Sequence, residues 1–270
     1  MTPNEYKVRA SSWGKLFDCA YAWEGVHLLG MKMPSSPSAL LGTSIHAGTA
    51  AFDSARMIGS PISANDAAEY LVKALHEPGY DVDWSAADDI TPRSAEKTGL
   101  KLLTLYCNTW SPRYEFAAVE METKPLTIDC GGNIHVTLTG TLDRSRIVAK
   151  SNKKGIADVK TGGAAAEKGV AKTKGHRAQL GTYELLSEHT TGEPITADAE
   201  VIGMKTKGNI QIASGFISNA KQLMVGTDQY PGLIEIAAGM FRSGLFPPNP
   251  VSMLCNKKYC VRWNTCPYHD

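Results

Sequence analysis

Two short acidic segments constrain the fold of this chain more than any other feature. Residues 140–144 read Gly-Thr-Leu-Asp-Arg, and residues 157–162 read Ala-Asp-Val-Lys-Thr-Gly. Side chains alternate between the two faces of a β-strand, so Asp158 and Lys160 share one face while Val159 points into the core. The segments therefore predict two strands that carry charged side chains on one surface.

If these two strands pair, Asp143 meets Asp158 on the shared face. Two carboxylates and the ammonium of Lys160 at one place repel or partly neutralise one another unless a hard cation lies between them. Mg²⁺ and Mn²⁺ prefer such oxygen ligands. The pattern therefore predicts cleavage of a phosphodiester bond by a metal-activated water.

Four elements occur in an order that resembles a known family. They are residues 42–46 with His46, residues 140–144, residues 158–162, and Gln179 with Tyr183. The Asp-x-Lys pair alone is weak because it arises often by chance, whereas the ordered set is specific. The chain resembles the PD-(D/E)XK nuclease superfamily, and within it the RecB-like branch, from about residue 11 to residue 266.

A metal site follows from the residues and from this resemblance together. We expect Asp143 and Asp158 to bind the metal directly. The backbone carbonyl of Val159 is a further candidate, because its side chain faces away. The resemblance implies His46 as another ligand, and a buried core histidine is the alternative. An imidazole beside oxygens shifts the preference toward Mn²⁺ over Mg²⁺.

The catalytic candidates surround that metal. Lys160 is expected to hydrogen-bond the attacking water or the scissile phosphate. Gln179 and Tyr183 lie four residues apart and so share a helix face, which the resemblance directs at the active site; Tyr183 as a plain core residue is the alternative. Glu120 matches an upstream acidic position of the family, although Glu122 shares its face. Arg144, which follows Asp143, is expected to pair with a carboxylate or phosphate.

Four of the six cysteines form a second candidate site, namely Cys19, Cys255, Cys260 and Cys266. They resemble the iron–sulfur nucleases of this branch, including AddB-type subunits, CRISPR adaptation nucleases and phage exonucleases. The resemblance implies a structural [4Fe–4S] cluster, but four thiolates also suit tetrahedral Zn²⁺. Cys255 and Cys260 enclose four residues where those families usually have two. Cys107 and Cys130 are expected to be buried thiols, and His269 is a less favoured ligand.

Composition places few limits on partners. The 270 residues are 43% hydrophobic and 20% charged, with a net charge of +1, so DNA binding requires a local basic patch. The candidates for it are Lys150, Lys153, Lys154, Lys168, Lys172, Lys174, His176 and Arg177; a solvated turn and loop is the alternative. Without a membrane-length apolar run, and without the apolar core of a signal peptide in residues 1–5, we expect a cytoplasmic protein.

Hydrophobic periodicity predicts helices first and strands later. Helices are expected at residues 11–30, 39–57, 64–77, 92–109, 176–189 and 219–242, the last with a possible break near 230–232. Strands are expected at residues 115–128, 134–146, 155–160, 200–205 and 209–216, with irregular segments at 79–89 and 162–175. This order indicates an α/β fold. The resemblance implies a restriction-endonuclease-like mixed sheet flanked by helices.

We expect one nuclease domain over residues 1–270, with a helical section at 1–110, a catalytic core at 111–245 and a Cys-rich tail at 246–270. The favoured function is a Mg²⁺- or Mn²⁺-dependent DNA exonuclease in recombination, repair or phage DNA processing. Alternatives are a CRISPR adaptation nuclease that trims DNA ends, and a non-enzymatic nucleic-acid-binding scaffold with structural zinc. DNA, a recombinase, a single-strand-binding protein or a separate helicase are candidate partners, and a homo-oligomer stays open.

Overall fold

Helices fill the first part of the chain and strands follow, in a computed structural model that describes residues 4–86 and 89–269. The helices are α1 (Trp13–Asp18), α2 (Ala20–His27), α3 (Pro37–Met57), α4 (Ala64–His76), α5 (Pro92–Leu105), α6 (Arg177–Thr191), α7 (Ala220–Val225) and α8 (Leu233–Ser243). The strands are β1 (Asn4–Arg9), β2 (Glu115–Glu122), β3 (Leu126–Asp129), β4 (Ile134–Thr139), β5 (Thr141–Val148), β6 (Lys153–Gly162), β7 (Ala166–Glu167), β8 (Val170–Ala171), β9 (Ala199–Lys205), β10 (Gln211–Ile217), β11 (Gly226–Thr227) and β12 (Tyr230–Pro231).

The central sheet has the strand order β10-β9-β6-β5-β2. Strand β9 runs parallel to β6, and the other neighbouring pairs are antiparallel. A second sheet has the order β1-β4-β3, in which β1 is parallel to β4. The expected mixed α/β architecture, with helices around a mixed sheet, is therefore confirmed.

Two apolar cores cover the opposite faces of the central sheet. Ile156 packs with the core that includes α1, α2, α6 and α8, whereas Ala157 and Val159 pack with α3, α4 and α5. Neighbouring β9 alternates in the same way, with Val201 in the first core and Ile202 in the second. This period of two is what a strand buried on both faces requires.

Local capping explains why α3 begins where it does. Ser36 takes an extended conformation and its hydroxyl accepts a hydrogen bond from Ala39 N at 3.2 Å. Pro37 occupies the first helical position, where its missing N–H costs nothing. Helix α4 begins with a reciprocal capping box between Ser63 and Asp66. The Ser36 cap fixes the start of α3, the helix that carries His46.

Four expected elements are divided in the structure. The strand predicted at 115–128 divides into β2 and β3, which join different sheets. The helix predicted at 11–30 breaks at Cys19, which is extended, and ends at His27. The strand predicted at 134–146 divides at Gly140 into β4 and β5, which join different sheets. The helix predicted at 219–242 is interrupted by the short pair β11–β12.

The remaining expectations concern loops and membrane spans. The irregular segment 162–175 contains the short hairpin β7–β8. Residues 1–3, 87, 88 and 270, which include parts of the segments 1–5 and 79–89 interpreted above, lie outside the described residues. Among the described residues, no helix combines the length and the apolar character needed to cross a membrane.

Candidate metal centre and cysteine pocket

Three carboxylates lie side by side on adjacent strands. The register of β2 with β5 aligns Glu120 with Asp143. The β5–β6 pairing ends at Arg144 and Ala157, and its register continued by one residue aligns Asp143 with Asp158, whose pKa the charge of Asp143 raises. Cross-strand neighbours project from the same face of a sheet. The predicted meeting of Asp143 with Asp158 is thus found, and Glu120 extends the row by one strand.

Strands β5 and β6 separate at this row. Their regular pairing ends at Arg144 and Ala157, and continuing the same register would place Val159 opposite Leu142. The carboxylate of Asp143 instead accepts a hydrogen bond from Val159 N at 2.9 Å. The side chain thus replaces a strand contact, which fixes its orientation at the open end of the sheet.

Helix α3 brings His46 to the same place. His46 Nδ1 lies 3.5 Å from Asp143 Oδ2. Ligand atoms of His46, Glu120 and Asp143 all lie within 4.8 Å of one another. The helix can approach β6 closely because position 42 is glycine: an added Cβ there would lie 2.6 Å from Thr161 Oγ1. One imidazole and two carboxylates form a donor set suited to Mn²⁺ or Mg²⁺.

Asp158 is fully buried behind these groups. Its Oδ2 lies 2.5 Å from Lys160 Nζ, and its Oδ1 accepts a hydrogen bond from Gln179 at 3.3 Å. Burial, followed by the charge of Asp143, raises the pKa of Asp158, while Lys160 opposes that rise. A bound cation would relieve the same penalty. A second positive charge, in addition to Lys160, would therefore stabilise the ionised carboxylate of Asp158.

Helix α6 covers the site as the shared face of Gln179 and Tyr183 predicts. Gln179 Nε2 donates to Tyr183 Oη at 3.4 Å as well as to Asp158. Tyr183 is 5% exposed and belongs to the larger core. Its ring lies against Gly140, where an added Cβ would be 2.8 Å from it. Tyr183 therefore combines the core position with a polar contact to the site.

Glu120 has an unusual backbone. It has φ 47°, the left-handed region that is unfavourable for a residue with a Cβ. The pairing of β2 with β5 shifts register between Phe116 and Ala118, which is the mark of a β-bulge. Burial and then the charge of Asp143 raise the pKa of Glu120, and Arg144 opposes them. The choice between Glu120 and Glu122 thus falls on the residue that reaches His46.

A buried ionic network supports the site from behind. Arg144 Nε lies 2.7 Å from Asp53 Oδ2, and Arg144 Nη1 lies 3.1 Å from Glu120 Oε1. Asp53 also accepts hydrogen bonds from Tyr106 Oη at 2.6 Å and from Ser111 Oγ at 2.5 Å. The expectation that Arg144 pairs with a carboxylate is confirmed. Asp53 was not among the sequence-derived candidates.

The loop before α6 reaches the open side of the metal centre. Burial, then the charges of Lys160 and Lys172, lowers the pKa of His176 to about 4. Those effects require both lysines to be near the imidazole. Within the candidate DNA patch, Lys154 forms an ion pair with Glu193.

The four candidate cysteines line one pocket between the start of α2 and the tail. Cys19, Cys255, Cys260 and Cys266 all border it. The tail is held there by contacts to α1 and α2, including Ser252 Oγ to Asp18 at 2.6 Å and Arg262 Nη2 to Glu24 at 2.6 Å. A break in the helix at Cys19 is what turns this residue toward the tail.

The other cysteines lie away from that pocket. Cys107 is 3% exposed in the smaller core, and burial raises the pKa of its thiol to about 12. Cys130 is half-buried, so the expectation of a buried thiol is met only in part there. The residues that border the pocket do not include His269, whose ring stacks on Trp263.

Comparison with known proteins identifies relatives. A family model described as the PD-(D/E)XK nuclease superfamily matches residues 10–269. Among curated proteins none matches the chain. A crystal structure from Eubacterium rectale, of a protein provisionally named an exonuclease, shares 11% identity and has a TM-score of 0.55. That match covers 93% of this chain and 87% of the other, so the two share a fold.

Proposed function

Because the chain belongs to the PD-(D/E)XK nuclease superfamily, we propose that it is a divalent-metal-dependent DNA exonuclease of the RecB-like branch. The observation that carries the proposal is the convergence of Glu120, Asp143, Asp158 and Lys160 at the point where two strands separate. Structural proteins seldom retain such a repulsive group of buried carboxylates without a charge to compensate it.

The residues divide the work of hydrolysis between them. His46, Glu120 and Asp143 have ligand atoms close enough to hold one ion. We propose Asp158 and the backbone carbonyl of Val159 as further ligands, because the charge of Asp143 acts on Asp158 and Val159 N donates to Asp143. When bound, Mg²⁺ or Mn²⁺ lowers the pKa of a coordinated water and stabilises charge on phosphorus. Lys160 holds the attacking water or a phosphate oxygen, and Gln179 orients Asp158.

The cysteine pocket is proposed to hold a structural [4Fe–4S] cluster. All four thiols border one pocket. Four thiolates are the ligand set that holds such a cluster, and they also suit tetrahedral zinc. The role of the cluster is to join the first helices to the tail.

Linear DNA labelled at either end, and covalently closed circular DNA, test the function directly. With Mn²⁺ or Mg²⁺, the protein should shorten linear DNA from an end and leave covalently closed circles intact. Asp158→Asn should abolish cleavage while the protein stays folded. The matched control is Asp228→Asn, an exposed aspartate in the turn between β11 and β12. Cleavage by Asp158→Asn at the wild-type rate would refute the assignment, and cutting of circles would refute the exonuclease.

A further inference from the structure

The loop between Cys255 and Cys260 presents an aromatic and two cationic side chains to solvent. Lys257, Lys258 and Tyr259 are all exposed, and Tyr259 is 46% exposed. The loop is braced from within, because Asn256 Oδ1 accepts a hydrogen bond from Lys258 N and Asn256 Nδ2 donates to Met253 O, both at 3.0 Å. These three side chains are therefore displayed on a shaped turn.

This loop forms one wall of a groove, which we call the tail groove. The opposite wall is the segment 31–36 that leads into α3. One part of the groove is bordered by Ser36, Lys257 and Lys258, and the adjoining part by Lys15, Lys32 and Tyr259. The groove thus combines four lysines with an exposed aromatic ring.

The tail groove carries more positive than negative charge. Among the described residues, the lysine ion pairs do not include Lys15, Lys32, Lys257 or Lys258. Asp83 is the one carboxylate among the described residues that border the groove, and Lys258 also lies close enough to Asp89 to help Lys207 lower the pKa of that carboxyl. Four lysines held together with few counter-charges attract a polyanion, and release of its counterions drives binding.

We propose that the tail groove binds single-stranded DNA, on the premise that the protein is the DNA nuclease proposed above. The lysines contact successive phosphates, and Tyr259 stacks on a base. An exposed ring among cations suits an unpaired strand, because paired bases in a duplex already stack on one another. The net charge of +1 for the whole chain makes such a local groove necessary.

Helix α3 connects the groove to the candidate metal centre. Ser36 caps the helix and borders the groove, whereas His46 lies ten residues further along at the metal centre. At a rise of about 1.5 Å per residue this separates the two sites by roughly 15 Å. That distance corresponds to roughly four stacked nucleotides at about 3.4 Å each. The groove therefore holds the strand a few nucleotides from the cleaved bond.

The groove is also physically joined to the cysteine pocket. Lys15 and Tyr259 border both of them. Cys255 and Cys260 are the two ends of the lysine-bearing loop, so ligation at these thiols fixes the loop ends. Loss of the ligand bound by the cysteines should therefore weaken DNA binding before it alters the distant carboxylates.

A binding titration tests the groove. Fluorescein-labelled oligothymidine of about 12 nucleotides is titrated with the full-length protein in EDTA at several salt concentrations. Lys257→Gln with Lys258→Gln should reduce the slope of log affinity against log salt by about 1.4 units, or about 0.7 for each lost phosphate contact. Tyr259→Ala should weaken binding roughly tenfold, and Tyr259→Phe should retain it.

The control is Lys97→Gln with Lys101→Gln, which removes the same charge from exposed positions on α5. It should leave the slope unchanged. A wild-type slope for the loop variant would overturn the proposal. An equal loss of affinity for a duplex of the same length would overturn the preference for single strands.

Substrate length separates this inference from the proposed function. Single strands of about four nucleotides cannot occupy both sites, so the loop variant should cleave them at the wild-type rate. Strands of about 12 nucleotides should be cleaved with a raised KM and an unchanged kcat. If wild-type protein cleaves neither length nor the linear duplex, the nuclease proposal fails. If it digests the linear duplex but neither single strand, only the groove proposal fails. If it cleaves both, and the loop variant matches it on both, only the groove proposal fails.

Discussion

Arg144 Nε lies 2.7 Å from Asp53 Oδ2, and both side chains are fully buried. The pair joins α3 to β5 directly behind the carboxylates of the metal centre. Tyr106 and Ser111 donate further hydrogen bonds to the same carboxylate. Neither charge has access to water, so Asp53 depends on Arg144 for compensation, and Arg144 depends on Asp53 and on the more distant Glu120.

Asp53→Asn should therefore be strongly destabilising, because it leaves the guanidinium of Arg144 buried without its nearest counter-charge. Removing one partner of a buried ion pair costs about 3–5 kcal/mol. Urea unfolding measures the change. Asp89→Asn, which breaks an exposed pair with Lys207, is the control and should change the free energy of unfolding far less, because solvent screens the pair. A loss for Asp53→Asn as small as that of the control would contradict the buried pair.

Glu120→Gly separates backbone strain from chemistry. The positive φ of Glu120 is unfavourable for any side chain but accessible to glycine. The glycine variant should be more stable than Glu120→Ala by about 1 kcal/mol, measured by thermal unfolding. Both variants should lose metal-dependent cleavage. A glycine variant no more stable than the alanine variant would show that no strain is stored at this position.

His46→Ala tests the imidazole as a metal ligand. Loss of a direct ligand should weaken Mn²⁺ affinity by about tenfold or more, measured by isothermal titration, and excess metal should partly restore cleavage. His76→Ala on α4, which removes an exposed histidine paired with Glu96, is the control. An unchanged Mn²⁺ titration together with a lowered melting temperature would instead identify His46 as a core residue.

Neutralising Lys172, Lys174 and Arg177 together tests the loop beside the metal centre. Three lost phosphate contacts should reduce the salt slope of DNA binding by roughly 2 to 3 units. Arg93, Lys97 and Lys101 on α5 provide an exposed set of equal charge for comparison. If the loop variant keeps the wild-type slope, this segment does not contact DNA.

Protein purified without oxygen should be brown, with broad absorption near ~400 nm. Substitution of Cys19, Cys255, Cys260 or Cys266 by serine should remove the colour and lower stability, because metal binding contributes to folding. Cys130→Ser should keep both. If metal analysis finds about one zinc and no iron per chain, the cysteines bind zinc and not an iron–sulfur cluster. A metal-free pocket would refute both.

The strand pair at the metal centre could be predicted because its signal is local. Asp143, Asp158 and Lys160 lie within two short segments, and alternation along a strand fixes which of them face together. The separation of the strands was not predictable, because the Asp143 side chain replaces a backbone contact only in the folded sheet. The break at Cys19 was not predictable either, because apolar residues recur at helical spacing on both sides of it.

Asp53 illustrates a signal that was present but not used. His46, Thr49 and Asp53 follow at spacings of three and four residues, so they share one face of α3. An acidic residue on the face that carries a candidate ligand predicts a buried cationic partner. Arg144 was that partner, but the sequence alone did not connect two positions 91 residues apart.

The contact between Glu24 and Arg262 spans 238 positions, and the cysteine pocket is closed by the same two regions. During synthesis, the first helices leave the ribosome long before the tail exists. Cys19 is therefore synthesised long before Cys255, Cys260 and Cys266, the other cysteines of the pocket. A chain arrested short of Cys255 cannot complete the pocket, so insertion of the proposed cluster would report that translation has passed the last cysteine.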